Sequence, residues 1–212
     1  SKNITKKYLI LTKMSLQMDK LIELSNDTQV SLFANHLVYL TRSTISTNIE
    51  KRIIDSILFQ KPKRANIYWF IHIESTDEPF QMDFTINQLI PNKIIRIDFK
   101  LGFKMQPRVN ILFKKVLQHL YETNQIKSQN KYENLNPIDF HTEITYVIME
   151  SFFSIENELP FFEDLLMDIY FTIKRLSQSD PKAFGLDNAT IIIEKVPLII
   201  SPKEFLNIKQ IK

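Results

Sequence analysis

The sequence predicts an α/β domain with a mixed, mostly parallel sheet flanked by helices, in a single layered unit. Three observations support this prediction. Short apolar runs typical of strands buried on both faces alternate with amphipathic helical segments, and two further segments alternate strictly between polar and apolar residues. The 212 residues are 44% hydrophobic and 24% charged, which is typical of folded globular proteins. The length suits one domain.

The first half of the chain predicts a βαβ unit. Residues 36–41 form a β-branched and aromatic run without alternation and predict the first core strand. Thr47 and Glu50 have the spacing of a capping box, and isoleucines at helical spacing follow, which predicts a helix over residues 48–60. Residues 67–73 are apolar on both pleat faces and predict a central strand after the crossover.

The middle of the chain predicts a hairpin followed by a helix. Residues 82–87 alternate as a half-exposed strand at an edge or in a hairpin, and residues 95–103 alternate as a long strand with one polar face. Apolar spacing over residues 109–120, after Pro107, predicts an amphipathic helix. Residues 122–137 are polar and predict a mobile surface loop.

The last third predicts two strands and two helices: a strand at residues 144–149, an amphipathic helix at 162–176, a buried strand at 190–193 and a helix beginning near Ser201. We expect residues 1–34 to be a lead-in with a strand or helix, and residues 35–212 to be the domain. The chain begins without Met or a signal peptide, so we expect it to be cut from a longer protein. No apolar run approaches the ~18 to 20 residues that span a bilayer.

Composition excludes several classes of function. The chain has no cysteine, which excludes disulfides and thiol nucleophiles and favours a reducing compartment. Its two glycines cannot build a Walker or Rossmann phosphate loop. A net charge of +3 is too small to indicate nucleic acid. The four histidines lack metal-ligand spacing, and there is no glycine-flanked nucleophile elbow, so we predict no metal, no cofactor and no enzymatic activity.

Polar residues that follow the first two core strands are the strongest candidates for a ligand site. In open α/β sheets, ligands bind beyond the carboxyl ends of the strands, and an arginine, hydroxyls and a helix N-terminus together suit an anion. An ordinary polar loop with a helix cap is the alternative interpretation. The candidates are Thr41, Arg42, Ser43 and Thr44 after the first strand, His72 and Glu74 after the second, and Arg108 and Asn110 at a helix start.

A second feature superficially suggests nucleic acid. Basic residues Lys61, Lys63 and Arg64 precede the aromatic pair Tyr68 and Trp69, a combination of phosphate contact and base stacking. Adjacent residues of a strand point to opposite faces, however, so we favour a core strand preceded by a solvated loop.

Three segments carry a resemblance to a known family. They are HLVYLT at residues 36–41, PKRANIYWF at 62–70 and LGFKMQPRVN at 101–110, in this order. Over residues 35–195 the chain resembles the cytosolic C-terminal region of KUP-type potassium uptake permeases. The resemblance implies a soluble regulatory domain of a potassium transporter of the proton symport type, on the cytoplasmic face of the cell membrane. The membrane region itself is absent from this chain.

The resemblance also implies a ligand. Some permeases of this family are inhibited by cyclic di-AMP, which makes this dinucleotide the expected regulatory ligand. Because it is doubly negative and two-fold symmetric, it suits a groove between two identical subunits, and we expect a homodimer. Two other readings stay open: a purely structural dimerisation tail, and an adenine nucleotide-binding module like the universal stress proteins. A hydrolase is the least favoured reading.

Overall fold

The computed structural model describes residues 17–44, 49–105, 107–127, 144–149 and 189–194. Helix α1 covers residues 17–26. The elements that follow are β1 (Leu32–Leu40), α2 (Lys51–Leu58), β2 (Arg64–Thr76), β3 (Met82–Ile90), β4 (Ile94–Gly102), α3 (Val109–Glu122), β5 (Ile144–Met149) and β6 (Ala189–Glu194).

The six strands form one mixed sheet with the order β3-β4-β2-β1-β5-β6. All neighbours pair in parallel except β3 and β4, which form an antiparallel hairpin at one end. The predicted α/β class, the βαβ unit and the edge hairpin are therefore confirmed. In the described part of the chain, β1 and β2 lie inside the sheet, which explains why their sequences are continuously apolar.

The sheet separates two hydrophobic cores. On one face, α3 packs over Trp69, Phe99 and Tyr146. On the opposite face, α1 and α2 pack over Tyr39 and Tyr68. Tyr68 and Trp69 thus point to opposite faces, as predicted, and neither ring is exposed to solvent. This burial removes both rings from any base-stacking surface.

Several predicted elements are confirmed with shifted bounds, and others lie outside the described residues. Strands β1, β2, β4 and β5, helix α3 and the last strand β6 occur where they were expected. Helix α2 is shorter than predicted, because Glu50 is its N-cap residue and makes no side-chain cap hydrogen bond. Glu50 is therefore not the third residue of a capping box. Thr47, the predicted helix at 162–176 and the helix start near Ser201 lie outside the described residues.

Three sequence expectations about solvent exposure are wrong. The polar face of strand β4 is not fully exposed, since Arg96 on this face has no exposed surface. Lys63 is not solvated, because its ammonium is buried against the carboxylate of Glu194 at 2.8 Å. Within the predicted surface loop over residues 122–137, Ile126 packs in the core and is 3% exposed. Residues 128–137 of that loop lie outside the described part.

A buried polar chain lies on the α3 side. The indole Nε1 of Trp69 donates to Nδ1 of His36 at 3.0 Å, so the proton of the neutral imidazole is on Nε2. This Nε2 faces the hydroxyl of Tyr121 at 3.3 Å. Burial lowers the pKa of His36 to about 4, because charging an imidazole away from water is unfavourable. His36 is therefore neutral at physiological pH.

Hydrogen bonds of Ser25 hold helix α1 against the sheet, near the amino ends of β2 and β4. The Ser25 hydroxyl donates to the carbonyl of Ala65 and accepts from Nζ of Lys93. The Ser25 carbonyl accepts from Nε of Arg64. Leu21 and Leu24 of the same helix are buried in the core. The domain boundary expected at residue 34 stays a prediction.

Gly102, the last residue of β4, allows a close approach of backbone. A Cβ atom at this position would lie 2.1 Å from the carbonyl oxygen of Glu78 and 2.5 Å from the backbone of Pro79. Both contacts are with backbone, so a side chain cannot be accommodated without moving the β2–β3 turn.

We expect Gly102→Ala to lower the free energy of unfolding by about 2 kcal/mol. Urea denaturation followed by circular dichroism measures this change. Lys100→Ala, two residues earlier on the same strand and exposed, is the matched control and should change stability by less than about 0.5 kcal/mol. Equal midpoints for the two variants would contradict the prediction.

Candidate functional site

The strand order places a topological switch point beside β1. The connection from β1 to β2 passes through α2 on one face, and the connection from β4 to β5 passes through α3 on the other face. Strand β1 lies between β2 and β5, so the chain leaves β1 toward β2 and later returns, over the other face, to β5 on the opposite side of β1. Ligands of open α/β sheets bind at such switch points.

The turn that follows β1 is held by the carboxylate of Glu50. One Glu50 oxygen accepts from the hydroxyl of Thr41 at 3.0 Å and from the backbone N–H of Arg42 at 2.7 Å. The Thr41 hydroxyl oxygen also accepts from the N–H of Ser43 at 3.2 Å. These bonds fix residues 41–43 above the N-terminus of α2, where a carboxylate is electrostatically favourable.

Arg96 holds the same turn from the sheet. Its guanidinium Nε and Nη2 donate to the carboxylate of Asp98, at 2.6 Å for the shortest contact. Its Nη2 also donates to the carbonyl of Ser43. Because Arg96 is fully buried and the Asp98 side chain is 21% exposed, the pair forms a rigid base beneath the turn.

The structure brings His72 to this turn. Nδ1 of His72 donates to the carbonyl of Thr41 at 3.2 Å, which joins the ends of β1 and β2. The Arg42 and Ser43 side chains are half-buried, and Thr44 and Glu74 are exposed. The expected approach of the two strand ends is therefore observed between Thr41 and His72.

Arg108 and Asn110, the two candidates at a helix start, have different contacts from the residues of this turn. Arg108 is the N-cap residue of α3 and is exposed. Asn110 accepts a hydrogen bond from the hydroxyl of Tyr146 at 2.8 Å, which ties the start of α3 to β5. Burial raises the pKa of Tyr146, so its hydroxyl stays a donor. Asn110 therefore has a structural contact on the α3 side.

A buried polar cluster lies beneath α2. Ser56 of this helix contacts the hydroxyl of Tyr39 at 2.7 Å and donates to the carboxylate of Glu194. Lys63 pairs with the same carboxylate and donates to the carbonyl of Ser56. Desolvation raises the pKa of Tyr39, so this hydroxyl is neutral. The cluster connects β1, α2 and β6.

The site offers positive and negative charges, and both donors and acceptors of hydrogen bonds. Arg42 suits an anionic group, and Glu50 suits a hydrogen-bond donor such as an exocyclic amine. Within the described ranges, no group of three histidines and carboxylates is placed to hold a metal ion. No helix in these ranges is long and apolar enough to cross a bilayer.

Sequence reasoning missed the residues that support the turn. Glu50 was interpreted only as part of a helix cap, and Arg96 and Asp98 were interpreted as the exposed face of a strand. Their contacts join residues far apart in the chain, such as Arg96 and Ser43. The one available signal was the sequence Arg96-Ile97-Asp98, which puts opposite charges on the same face of a strand.

Comparison with known families gives one match. The family described as "K+ potassium transporter C-terminal domain" matches residues 34–199 of the chain. The match therefore includes all of β2 to β6, β1 except its first two residues, and the whole candidate site. No solved structure is significantly similar to the chain.

Several bacterial proteins are similar to the chain over most of its length. A "Probable potassium transport system protein Kup" of Cytophaga hutchinsonii is 39% identical over 89% of the chain and 29% of that relative. Proteins with the same name from Flavobacterium johnsoniae and Enterococcus faecalis are 35% and 32% identical, over 100% and 85% of the chain. The chain spans only 32% and 27% of those two relatives.

Proposed function

The chain belongs to the K+ potassium transporter C-terminal domain family, and from this premise we propose that it is the regulatory domain of a potassium uptake transporter. The relatives named as potassium transport system proteins are about three times as long as the chain, which leaves the transport of potassium to the remaining part. In this proposal the domain lies on the cytoplasmic face of the membrane, catalyses no reaction and responds to a ligand.

We propose that the ligand is cyclic di-AMP and that it binds at the carboxyl end of β1. The observation that supports this location is the reversal of strand order beside β1, with α2 and α3 on opposite faces of the sheet. The Arg42 guanidinium would contact a phosphate in two places, the hydroxyls of Ser43 and Thr44 would supply further donors, and His72 would hold the turn through its bond to Thr41.

The carboxylate of Glu50 suits the exocyclic amine of adenine. It already accepts from Thr41 and Arg42, and a carboxylate has about four acceptor positions. Guanine also carries an exocyclic amine, so the titration with cyclic di-GMP tests the choice between the two bases. An anionic phosphate would be repelled from the Glu50 side and directed toward Arg42.

Inhibition of transport requires two arrangements of the domain with different affinities for the ligand. The turn at residues 41–44 is suited to this role because Glu50 of the α2 N-cap and Arg96 of β4 hold it from two sides. A ligand phosphate at Arg42 would bias the position of the turn relative to α2. We further propose that the domain is a homodimer.

Isothermal titration of the purified chain with cyclic di-AMP tests the ligand. Saturable binding of cyclic di-AMP, with ATP and cyclic di-GMP as controls that do not bind, would support the regulatory function. No heat and no thermal stabilisation at millimolar ligand would contradict it. A dimer that binds none of the three ligands would instead support the purely structural dimerisation tail.

Arg42→Ala should raise the dissociation constant for cyclic di-AMP by about tenfold or more, because it removes a charge-assisted pair of hydrogen bonds. Arg42→Lys should recover only part of the affinity, since an ammonium cannot bind a phosphate in the bidentate manner. Arg52→Ala is the matched control, since Arg52 is an exposed arginine of α2. An equal loss of affinity for Arg52→Ala would show that only net charge matters.

A further inference from the structure

Two cationic side chains lie together at the amino ends of β2 and β4. Arg64 is the first residue of β2, and Lys93 immediately precedes β4. These strands are neighbours in the sheet, and both side chains contact Ser25 in the last turn of α1. Nζ of Lys93 donates to the Ser25 hydroxyl at 3.0 Å, and Nε of Arg64 donates to the Ser25 carbonyl at 3.2 Å. One residue therefore holds two positive charges near each other.

No carboxylate of the described residues neutralises this pair. None of the ion pairs among these residues includes Arg64 or Lys93, and Asp27, in the turn after α1, accepts the N–H of Gln29 instead. Burial and the positive charge of Arg64 both lower the pKa of Lys93, as expected for a cation beside a like charge. The two charges therefore repel each other and destabilise the fold unless an anion binds between them.

The two side chains keep donors for such an anion. The guanidinium of Arg64 donates through Nε and Nη1 to the carbonyls of Ser25 and Val30, and its Nη2 has no acceptor among the described residues. The ammonium of Lys93 has three donors, and Ser25 accepts from one of them. Both side chains are half-buried, so their remaining donors can be reached from solvent.

Capping of α1 explains only one of the two cations. Arg64 donates to a carbonyl of the last helical turn, where a positive charge is favourable. Lys93 contacts a hydroxyl instead, and the turn that carries it is held by other bonds. The N–H of Asn92 donates to Oε1 of Gln88, and Oδ1 of Asn92 accepts from the N–H of Lys127. The position of Lys93 beside Arg64 is thus set by the β3–β4 turn.

We propose that Arg64 and Lys93 bind a phosphate group, either free or in the headgroup of a phospholipid. Two positive charges match a phosphate monoester, whose charge is about −1.5 to −2 at neutral pH and whose terminal oxygens are strong acceptors. A single carboxylate would leave one positive charge without a partner. The Ser25 hydroxyl donates to the carbonyl of Ala65, so it acts as an acceptor that orients the ammonium of Lys93.

This site is separate from the proposed ligand turn. Residues 41–44 follow the carboxyl end of β1, whereas Arg64 and Lys93 lie at the amino ends of strands that run parallel to β1. The two sites are roughly 25 Å apart at the usual rise per strand residue. Arg42→Ala should therefore leave phosphate binding unchanged, and a failure of either site is observed without the other.

Thermal unfolding in inorganic phosphate, with sodium chloride at equal ionic strength as reference, tests the site. In chloride, Lys93→Gln should be at least as stable as the unmodified chain, because it removes one of two repelling charges. Phosphate should raise the unfolding midpoint of the unmodified chain by about 3 °C more than that of Lys93→Gln.

Two further variants serve as controls for this measurement. Lys100→Gln removes an exposed lysine of β4 and should respond to phosphate as the unmodified chain does, since phosphate also stabilises proteins without binding at a site. Lys93→Arg keeps the charge and should keep most of the additional shift. Equal shifts for the unmodified chain, Lys93→Gln and Lys100→Gln would count against a free phosphate.

Cosedimentation with vesicles distinguishes the two sources of phosphate. If the ligand is a headgroup, vesicles of phosphatidylcholine with phosphatidic acid should bind the unmodified chain several-fold better than Lys93→Gln, and phosphatidylcholine alone should bind neither. A phosphate-specific thermal shift with no difference in vesicle binding would identify a free phosphate-bearing molecule. If Lys93→Gln matches the unmodified chain in both experiments, the proposal is overturned.

Discussion

Asp98→Ala is expected to lower the free energy of unfolding by about 3 kcal/mol, because it removes the carboxylate of a largely buried ion pair. Arg96 has no exposed side-chain surface and donates to Asp98 through two nitrogens. After the substitution the guanidinium keeps its bond to Ser43 but loses the opposite charge of Asp98. Urea denaturation measures the difference from the unmodified chain.

Two further variants distinguish loss of the buried ion pair from a general loss of stability in β4. Asp98→Asn keeps an acceptor for the guanidinium but not the charge, so its loss of stability should be intermediate. The double variant Arg96→Met/Asp98→Leu should recover much of the stability lost by Asp98→Ala, because removing both charges removes the desolvation penalty. Asp98→Ala with an unchanged midpoint would contradict the assignment of Arg96 as a buried base of the turn.

Acidification is expected to destabilise the fold through His36. The pKa of His36 is lowered from 6.5 to about 4 by burial, so between these values the unfolded chain binds a proton that the folded chain does not. Stability is therefore fully present above pH 6.5 and decreases as the pH falls toward 4, by on the order of 3 kcal/mol in total. Below pH 4 this contribution no longer changes.

His36→Gln isolates this effect from any contribution of the carboxylates. A glutamine side chain accepts from Trp69 and donates to Tyr121 as the neutral imidazole does, but it does not titrate. We expect the difference in stability between the two proteins to change with pH in the range from 6.5 to 4 and to be constant above it. Parallel stability curves from pH 4 to 8 would show that His36 is not the responsible group.

The sequence was sufficient to predict the strands that are apolar on both faces. β1, β2 and β5 are apolar on both faces, and a parallel sheet is the usual structure that buries such strands. The edge hairpin of β3 and β4 was predicted from alternation. The exposure of β4 was predicted wrongly, because alternation cannot distinguish a polar residue in water from one such as Arg96 that is buried with a partner.

The candidate site was predictable only in part. Thr41, Ser43 and His72 were found because the position after a strand end is a general rule of open sheets. Glu50, Arg96 and Asp98 were missed because their roles depend on which strands are neighbours, and strand order is not encoded in local periodicity. The ion pair between Lys63 and Glu194 was missed for the same reason, because the two residues are far apart in the sequence.

The strand order also determines when this protein can finish folding. β1, α2 and β2 follow one another directly and can associate early during synthesis, but His36 of β1 pairs on its other side with Ile144. Until that distant segment leaves the ribosome, one edge of β1 and part of the apolar surface around Trp69 stay uncovered. Such non-local parallel pairing is slow and exposes the chain to aggregation. The neighbourhood of β1 on its β5 side is consequently among the last parts to form, and only a fully assembled sheet presents it.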